Sequence, residues 1–413
     1  MAPGTIEDEA LVPDFLLPKL LEEVDTAAAW RGQRRQELLE LFREEVYGHT
    51  PASTAVAATH RVLSSEPALG GIGVRNEIEL QLTGHGSTKS WTVLLYVPAA
   101  ATGPVPVFLG LNFSGNQTIC SDPGITPSTV VEVGFGAPDR VVRGAAEQKW
   151  QVEKVLSRGF ALATVYSGDV APDRQDTAFS DGVHSLFPLD ASHTWGCIAA
   201  WAWGLSRTLD MFELISSVDH TKCAVIGHSR KGKAALWAGA QDPRFAMVIS
   251  NNSGCGGAAL SRRAFGETVA VITHAFPHWF ADNFDKYGAV DPATRPGNEG
   301  SLPVDQHQLI SLIAPRPVYV ASAEEDLWAD PRGEWQATVA AEPAYQLLGT
   351  SGLGIKPGEI ADTAAGPATN VPVGVHTGTM AYHKRSGGHD VTSYDWDQYL
   401  AFAERHLKTP AAL

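Results

Sequence analysis

Short apolar runs recur along this chain, each bounded by Gly, Pro or polar clusters. They fall at residues 105–111, 159–166, 223–226, 245–251, 317–323 and 377–383. Runs this short, apolar at successive positions, predict strands buried on both faces. Longer stretches between and after them carry helical spacing or helix-favouring composition: 145–157, 194–212, 233–240, 304–313, 333–347 and 393–406. Upstream, Leu38, Leu39, Leu41, Phe42 and Val46 form the apolar stripe of an amphipathic helix over 30–47, stopped by Gly48 with Pro51 beyond. Segments 72–82 and 91–97 read as two antiparallel strands joined at Gly84-His85-Gly86. Strands alternating with helices predict a mostly parallel sheet covered on both faces, an α/β three-layer sandwich. A Pro- and acid-rich extended segment, 1–29, precedes one large domain over 30–413. A polar stretch runs over 167–192, Gly-rich loops are expected at 253–257 and 349–374, and most of Trp195, Trp201 and Trp203 are expected in the core.

Composition narrows the partners. The 413 residues are 44% hydrophobic and 19% charged, with a net charge of −15. That acidity argues against nucleic acid and against anionic membrane, both of which require clustered positive charge. No apolar run approaches the roughly 20 residues of a membrane span. The N-terminal residues lack the basic start and apolar core of a signal peptide. Two readings of compartment stay open, a cytoplasmic protein and a secreted one whose leader is not in this sequence. Cys120, Cys197, Cys223 and Cys255 form no C-x-x-C pair, so zinc is not expected. Cys197 and Cys255 both follow glycines, which leaves a disulfide or two thiols open. No metal, nucleotide or flavin motif is present, so no cofactor is expected, and the protein is expected to be a monomer.

The chemistry concentrates where the apolar run 223–226 turns at Gly227-His228-Ser229 into an Ala-rich helix. Strand, sharp turn and helix make up the nucleophile elbow of the α/β-hydrolases, which lifts one serine hydroxyl into a cleft. The spacing here is G-x-S-x-x-G, with the second glycine one position later than in the common motif. In such sheets the order is nucleophile, then acid, then histidine. Glu324-Glu325-Asp326 follows the strand at 317–323, and His389 follows the last strand on a Gly-flanked loop. Ser229, an acid from that tip and His389 therefore form a candidate triad at the carboxyl ends of the strands. Arg230 and Lys233, three apart on the elbow helix, share a face at its N-terminal end, where an acid moiety is favoured.

At these residues the chain resembles the glucuronoyl esterases, the fifteenth family of carbohydrate esterases, and its bacterial members in particular. The elbow reads Gly227-His-Ser229-Arg230-Lys-Gly232-Lys233. Further matches are Trp201-Ala-Trp-Gly-Leu-Ser-Arg-Thr-Leu-Asp210, Ser253-Gly-Cys-Gly-Gly257, Gly266-Glu267-Thr268, Glu325-Asp-Leu-Trp-Ala-Asp330 and the Gly387-Gly-His389 turn. The resemblance implies Ser229 as nucleophile, His389 as base and Arg230 as oxyanion stabiliser. It implies Lys233 and Glu267 on hydroxyls of a uronic acid ring, with Trp328 bordering the sugar. The implied reaction is hydrolysis of an ester on the carboxyl of 4-O-methyl-glucuronic acid, as in links between xylan side chains and lignin alcohols.

One position departs from the family. Many members carry the acid immediately before the Ser-Gly-x-Gly-Gly loop, where this chain has Asn252. An amide carries no charge to support an imidazolium. Asp326 is the expected acid, with Glu325 as its neighbouring alternative. Two other readings stand beside the first. One is an esterase for another acyl group, such as acetyl-xylan. The other is a non-catalytic carbohydrate-binding relative, which requires Ser229 and His389 to lie apart or to be misoriented.

Overall fold

The computed structural model describes residues 6–128, 141–188, 195–288, 297–355 and 366–408. Within them one sheet carries nine strands: β1 (Ala57–Ala68), β2 (Gly73–Gly84), β3 (Ser87–Pro98), β4 (Val105–Asn112), β5 (Ala161–Tyr166), β6 (Val218–His228), β7 (Met247–Asn251), β8 (Val318–Ala323) and β9 (Met380–Arg385). Their spatial order is β1-β2-β3-β5-β4-β6-β7-β8-β9. Pairing is antiparallel from β1 to β5 and parallel from β5 to β9. The sheet is thus mixed, with its functional half parallel.

Alternation explains why the inner strands read as continuous apolar runs. In β4, Val107, Leu109 and Leu111 enter one apolar cluster and Phe108 the other. The same division separates Cys223 and Val225 from Ala224 and Ile226 in β6, and Val318 and Val320 from Tyr319 and Ala321 in β8. Helices cover both faces. On the first lie α1 (Arg35–Phe42), α3 (Cys197–Phe212), α4 (Arg230–Gln241), α5 (Gln306–Ser311) and α6 (Pro331–Leu347); on the second lie α2 (Val152–Ser157) and α7 (Ser393–Ala403). Trp195, Trp201 and Trp203 are buried, as expected.

Some elements depart from the sequence reading. β1 was not foreseen. It is the edge strand, exposed at nearly every position, so no buried face imposed a pattern on it. The helix expected over 145–157 breaks at Gln151, whose φ of 46° is left-handed. The polar stretch 167–192 contains helical turns at Ser167–Val170, Ala178–Asp181 and Val183–Leu186, for which its pattern holds no period; residues 189–192 lie outside the described ones. Part of the loop at 349–374 also lies outside. The described N-terminal residues run as a strap. Ile6 and Leu20 are buried, Glu9 pairs with Arg263 and Arg332, and the Lys19 carbonyl accepts from Arg34 and Gln308. All four cysteines are free and buried, so Cys197 and Cys255 are two thiols.

Helix α4 approaches β7 so closely that only glycine fits between them. A Cβ on Gly239 would lie 2.2 Å from a methyl of Val248. Gly239→Ala is expected to cost about 1–3 kcal/mol of stability in urea unfolding, the usual penalty for overpacking. Val248→Ala in that background should recover part of the loss. Additive losses in the double variant would contradict the packing argument.

Candidate active site

The strand β6 ends at His228, and α4 begins at Arg230. Ser229 between them has φ 58° and ψ −133°. Strain of this kind costs about 1–3 kcal/mol and persists only where the surroundings enforce it. The enforcing contacts are backbone contacts. A Cβ on Gly227 would stand 2.0 Å from the Lys231 carbonyl oxygen, which position 227 cannot accommodate. A Cβ on Gly232 would meet Ser253 Cβ at 3.0 Å and the Gly227 carbonyl at 3.1 Å. The late second glycine is therefore the residue that lets α4 close on both Gly227 and the loop after β7. The Ser229 N–H donates to the Asn251 carbonyl at 2.9 Å, tying the elbow to β7.

The acid and the histidine meet beside this turn. His389 Nδ1 lies 2.6 Å from Asp326 Oδ2, and Asn252 Nδ2 donates to the same oxygen at 2.7 Å. Asp326 is buried, while the His389 side chain is 42% exposed. Burial alone would raise the Asp326 carboxyl. The hydrogen bond and charge of His389 and the Asn252 amide outweigh it and hold the group below its ordinary value. The His389 ring packs on His228, the residue before Ser229, with centroids 4.5 Å apart. Glu325, the alternative acid, is exposed, and its backbone N–H donates to Gly387. Asp326 alone of the acidic tip is paired with His389.

The cations flanking Ser229 separate. Arg230 turns to Asp173, with Nε 2.6 Å from Oδ2. Lys233 is buried, and its ammonium donates to the carbonyls of Ser253 at 2.7 Å and Cys255 at 2.6 Å and to Glu267 at 3.3 Å. It ties the elbow helix to the Gly-rich loop. Glu267 is buried beside it, its N–H donating to the carbonyl of exposed Trp328.

Three supports were not identified from sequence. Glu334 on α6 accepts from the Ser253 and Gly254 N–H groups and from the Ser253 and Ser322 hydroxyls, so it anchors the loop behind Asn252. Burial pushes its carboxyl up to about 7. A lone acid before the buried face of Trp335, Ala337 and Thr338 was the available signal. Asp173 lay in a polar stretch without periodicity. Arg385, fixed by Asp395 at 2.8 Å, donates to the carbonyls of Ser386, Gly388 and Asp390, and so braces the loop that carries His389.

His228 is held neutral. Burial first, then the neighbouring His389, lowers it to about 3, against the support of its contact with Asn251 Oδ1 at 2.6 Å. The unfolded chain binds this proton near its ordinary value of about 6.5, the folded chain only near 3. Acidification through that window therefore removes stability, and none of this contribution is lost above it. In an NMR titration the His228 imidazole should stay neutral down to about pH 4. A midpoint above about 6 would contradict the packing described.

Known proteins resemble this chain over most of its length. The family model described as glucuronyl esterase, fungi, matches residues 80–349. Carbohydrate esterase MZ0003, from an unknown prokaryotic organism, is 44% identical over 418 residues, covering 97% of this chain and 91% of its own. The solved glucuronoyl esterase from Solibacter usitatus superposes with a TM-score of 0.84 at 40% identity, over 96% of this chain and 99% of that one. The 4-O-methyl-glucuronoyl methylesterase of Hypocrea jecorina is 37% identical over 259 residues, 60% of this chain and 54% of its own length. Matched by that family model over more than half its length and by the first two of these relatives along nearly all of it, the chain belongs to the glucuronoyl esterases, carbohydrate esterase family fifteen.

Proposed function

We propose that this protein is a serine esterase that cleaves esters on the carboxyl group of (4-O-methyl-)glucuronic acid, as in lignin–carbohydrate links of glucuronoxylan. The observation that carries the reading is the Asp326–His389 pair packed on His228, beside the strained turn at Ser229. A serine hydroxyl needs a base to become a nucleophile. With Nδ1 engaged by Asp326, His389 keeps Nε2 for that work. Ser229 Oγ attacks the ester carbon, and its proton passes to His389. Asp326 stabilises the imidazolium, and the imidazolium then protonates the departing alcohol. Water, activated by the same histidine, releases the uronic acid and restores the serine. The oxyanion is met by the Arg230 N–H and side chain.

The sugar side has its own reading. Glu267 and Lys233 bind hydroxyls of the uronic acid ring, and Lys233 also holds Glu267. Exposed Trp328 offers an apolar face to the ring. An acetyl ester has no uronic acid ring for these groups to recognise, which favours the glucuronoyl substrate. A purely carbohydrate-binding role leaves the paired Asp326 and His389 without a task. The cleavable partner is thus a carbohydrate ester, with no cofactor in the scheme.

Ser229→Ala is expected to abolish hydrolysis of benzyl glucuronate with the melting temperature unchanged; residual wild-type turnover would sink the serine mechanism. Wild-type protein should prefer benzyl glucuronate to 4-nitrophenyl acetate in kcat/KM, and the reverse preference would select the acetyl reading. Asp326→Asn should lower kcat roughly ten-thousandfold, as loss of the triad charge does elsewhere. Glu325→Gln, measured beside it, should stay near wild type, and a crippled Glu325→Gln with a normal Asp326→Asn would move the acid by one residue.

A further inference from the structure

Arg230 is held on several sides. Its Nε lies 2.6 Å from Asp173 Oδ2, and its guanidinium sits 4.8 Å from the Phe113 ring centre and 5.6 Å from that of Trp279. Asp173 follows β5 and is buried, its side chain 7% exposed. Its other oxygen is engaged from the far side: Trp279 Nε1 donates to Oδ1 at 2.6 Å, and His278 Nε2 lies 3.1 Å from it. Lys231 approaches the same group while its ammonium rests 3.0 Å above the Trp201 ring. Burial would raise the Asp173 carboxyl. The His278 hydrogen bond, the Lys231 and Arg230 charges and the Trp279 hydrogen bond reverse this and hold it well below the carboxylate range.

The division of labour between the two oxygens is the informative feature. Oδ1 receives the orienting donors, and Oδ2 faces Arg230. A carboxylate fixed in this way attracts the neighbouring guanidinium by charge and limits where it can sit. Stabilisation of developing charge is effective when the donor is already in place and needs no reorganisation during reaction. We propose that Asp173 is the positioning residue that aims Arg230 at the oxyanion, with Trp279 and His278 fixing Asp173 in turn. This rests on the reading of Arg230 as an oxyanion stabiliser. Asp173 itself acts only through Arg230.

The test is a double-mutant cycle on the full chain with benzyl glucuronate. Arg230→Ala should lower kcat roughly a hundredfold, the usual loss for one oxyanion donor. Asp173→Asn, which keeps the shape and removes the charge, should lower kcat at least about tenfold with KM little changed, because misaiming by about an ångström has costs of this size. The double variant should be no slower than Arg230→Ala alone, since coupled residues are not additive. Multiplied losses, a raised KM at normal kcat, or a faster Asp173→Asn enzyme would overturn the proposal. A normal kcat in Arg230→Ala would instead remove the oxyanion role on which it rests. Trp279→Phe keeps the ring near Arg230 and deletes the N–H to Asp173. It guards against misfolding of Asp173→Asn, and should lower kcat in the wild-type background but not in the Arg230→Ala background; equal losses in both would overturn the proposal too.

Discussion

The site depends on how closely two backbones approach at the elbow. Without side chains at 227 and 232, α4 packs directly on the end of β6 and on the loop after β7. That approach forces Ser229 into its strained conformation and fixes the start of α4 against the sheet. Everything else is placed relative to it. Arg230 leaves α4 toward the segment after β5, and Lys233 leaves it toward the loop after β7. A turn that relaxed to ordinary backbone angles would lose both directions together with the serine. The strain is offset by the buried sheet on one side and the packed helix on the other.

Charge is organised locally in a chain that is acidic overall. The departure at Asn252 has a physical reading in these terms. Its amide nitrogen sits 2.7 Å from Asp326 Oδ2 and donates to it. A glutamate or aspartate reaching the same oxygen would set two carboxylates in contact, and one of them would have to bind a proton. An amide at 252 and a carboxylate at 326 are compatible: one charge faces His389, and the neighbouring group steadies it. The missing acid is thus part of the arrangement that lets Asp326 stay ionised.

Much of this was legible in the sequence because buried parallel strands must be apolar at successive positions. Strands β4 to β9 announced themselves in that way, and the positions of Ser229, Asp326 and His389 just beyond their carboxyl ends follow from their order. The elbow was legible for a second reason: only glycine survives where backbones nearly touch. The exposed edge strand β1 was not legible, since solvent on its outer side imposes no period. The supports of the site were equally hidden. Asp173, Glu334 and Asp395 act across long sequence separations, and a buried acid looks like a solvated one until its partners are folded around it. Trp328 and Glu267 were reached only through the family resemblance, because nothing in their local pattern distinguishes them.

The histidine shows why such hidden supports matter. His389 is exposed and sits on a glycine-rich loop, the setting of a mobile side chain. One hydrogen bond to Asp326 fixes the ring but not the loop. Arg385 supplies the rest by gripping carbonyls on both sides of His389, and Asp395 holds Arg385 while accepting from Thr392 at the start of α7. Asp395 also meets His383 and Asn251, and Asn251 reaches His228 beneath the His389 ring. His389 is therefore braced from its backbone, from Asp326 and from the strand beneath it. An exposed imidazole can remain open to substrate because its order comes from buried neighbours rather than from its own burial.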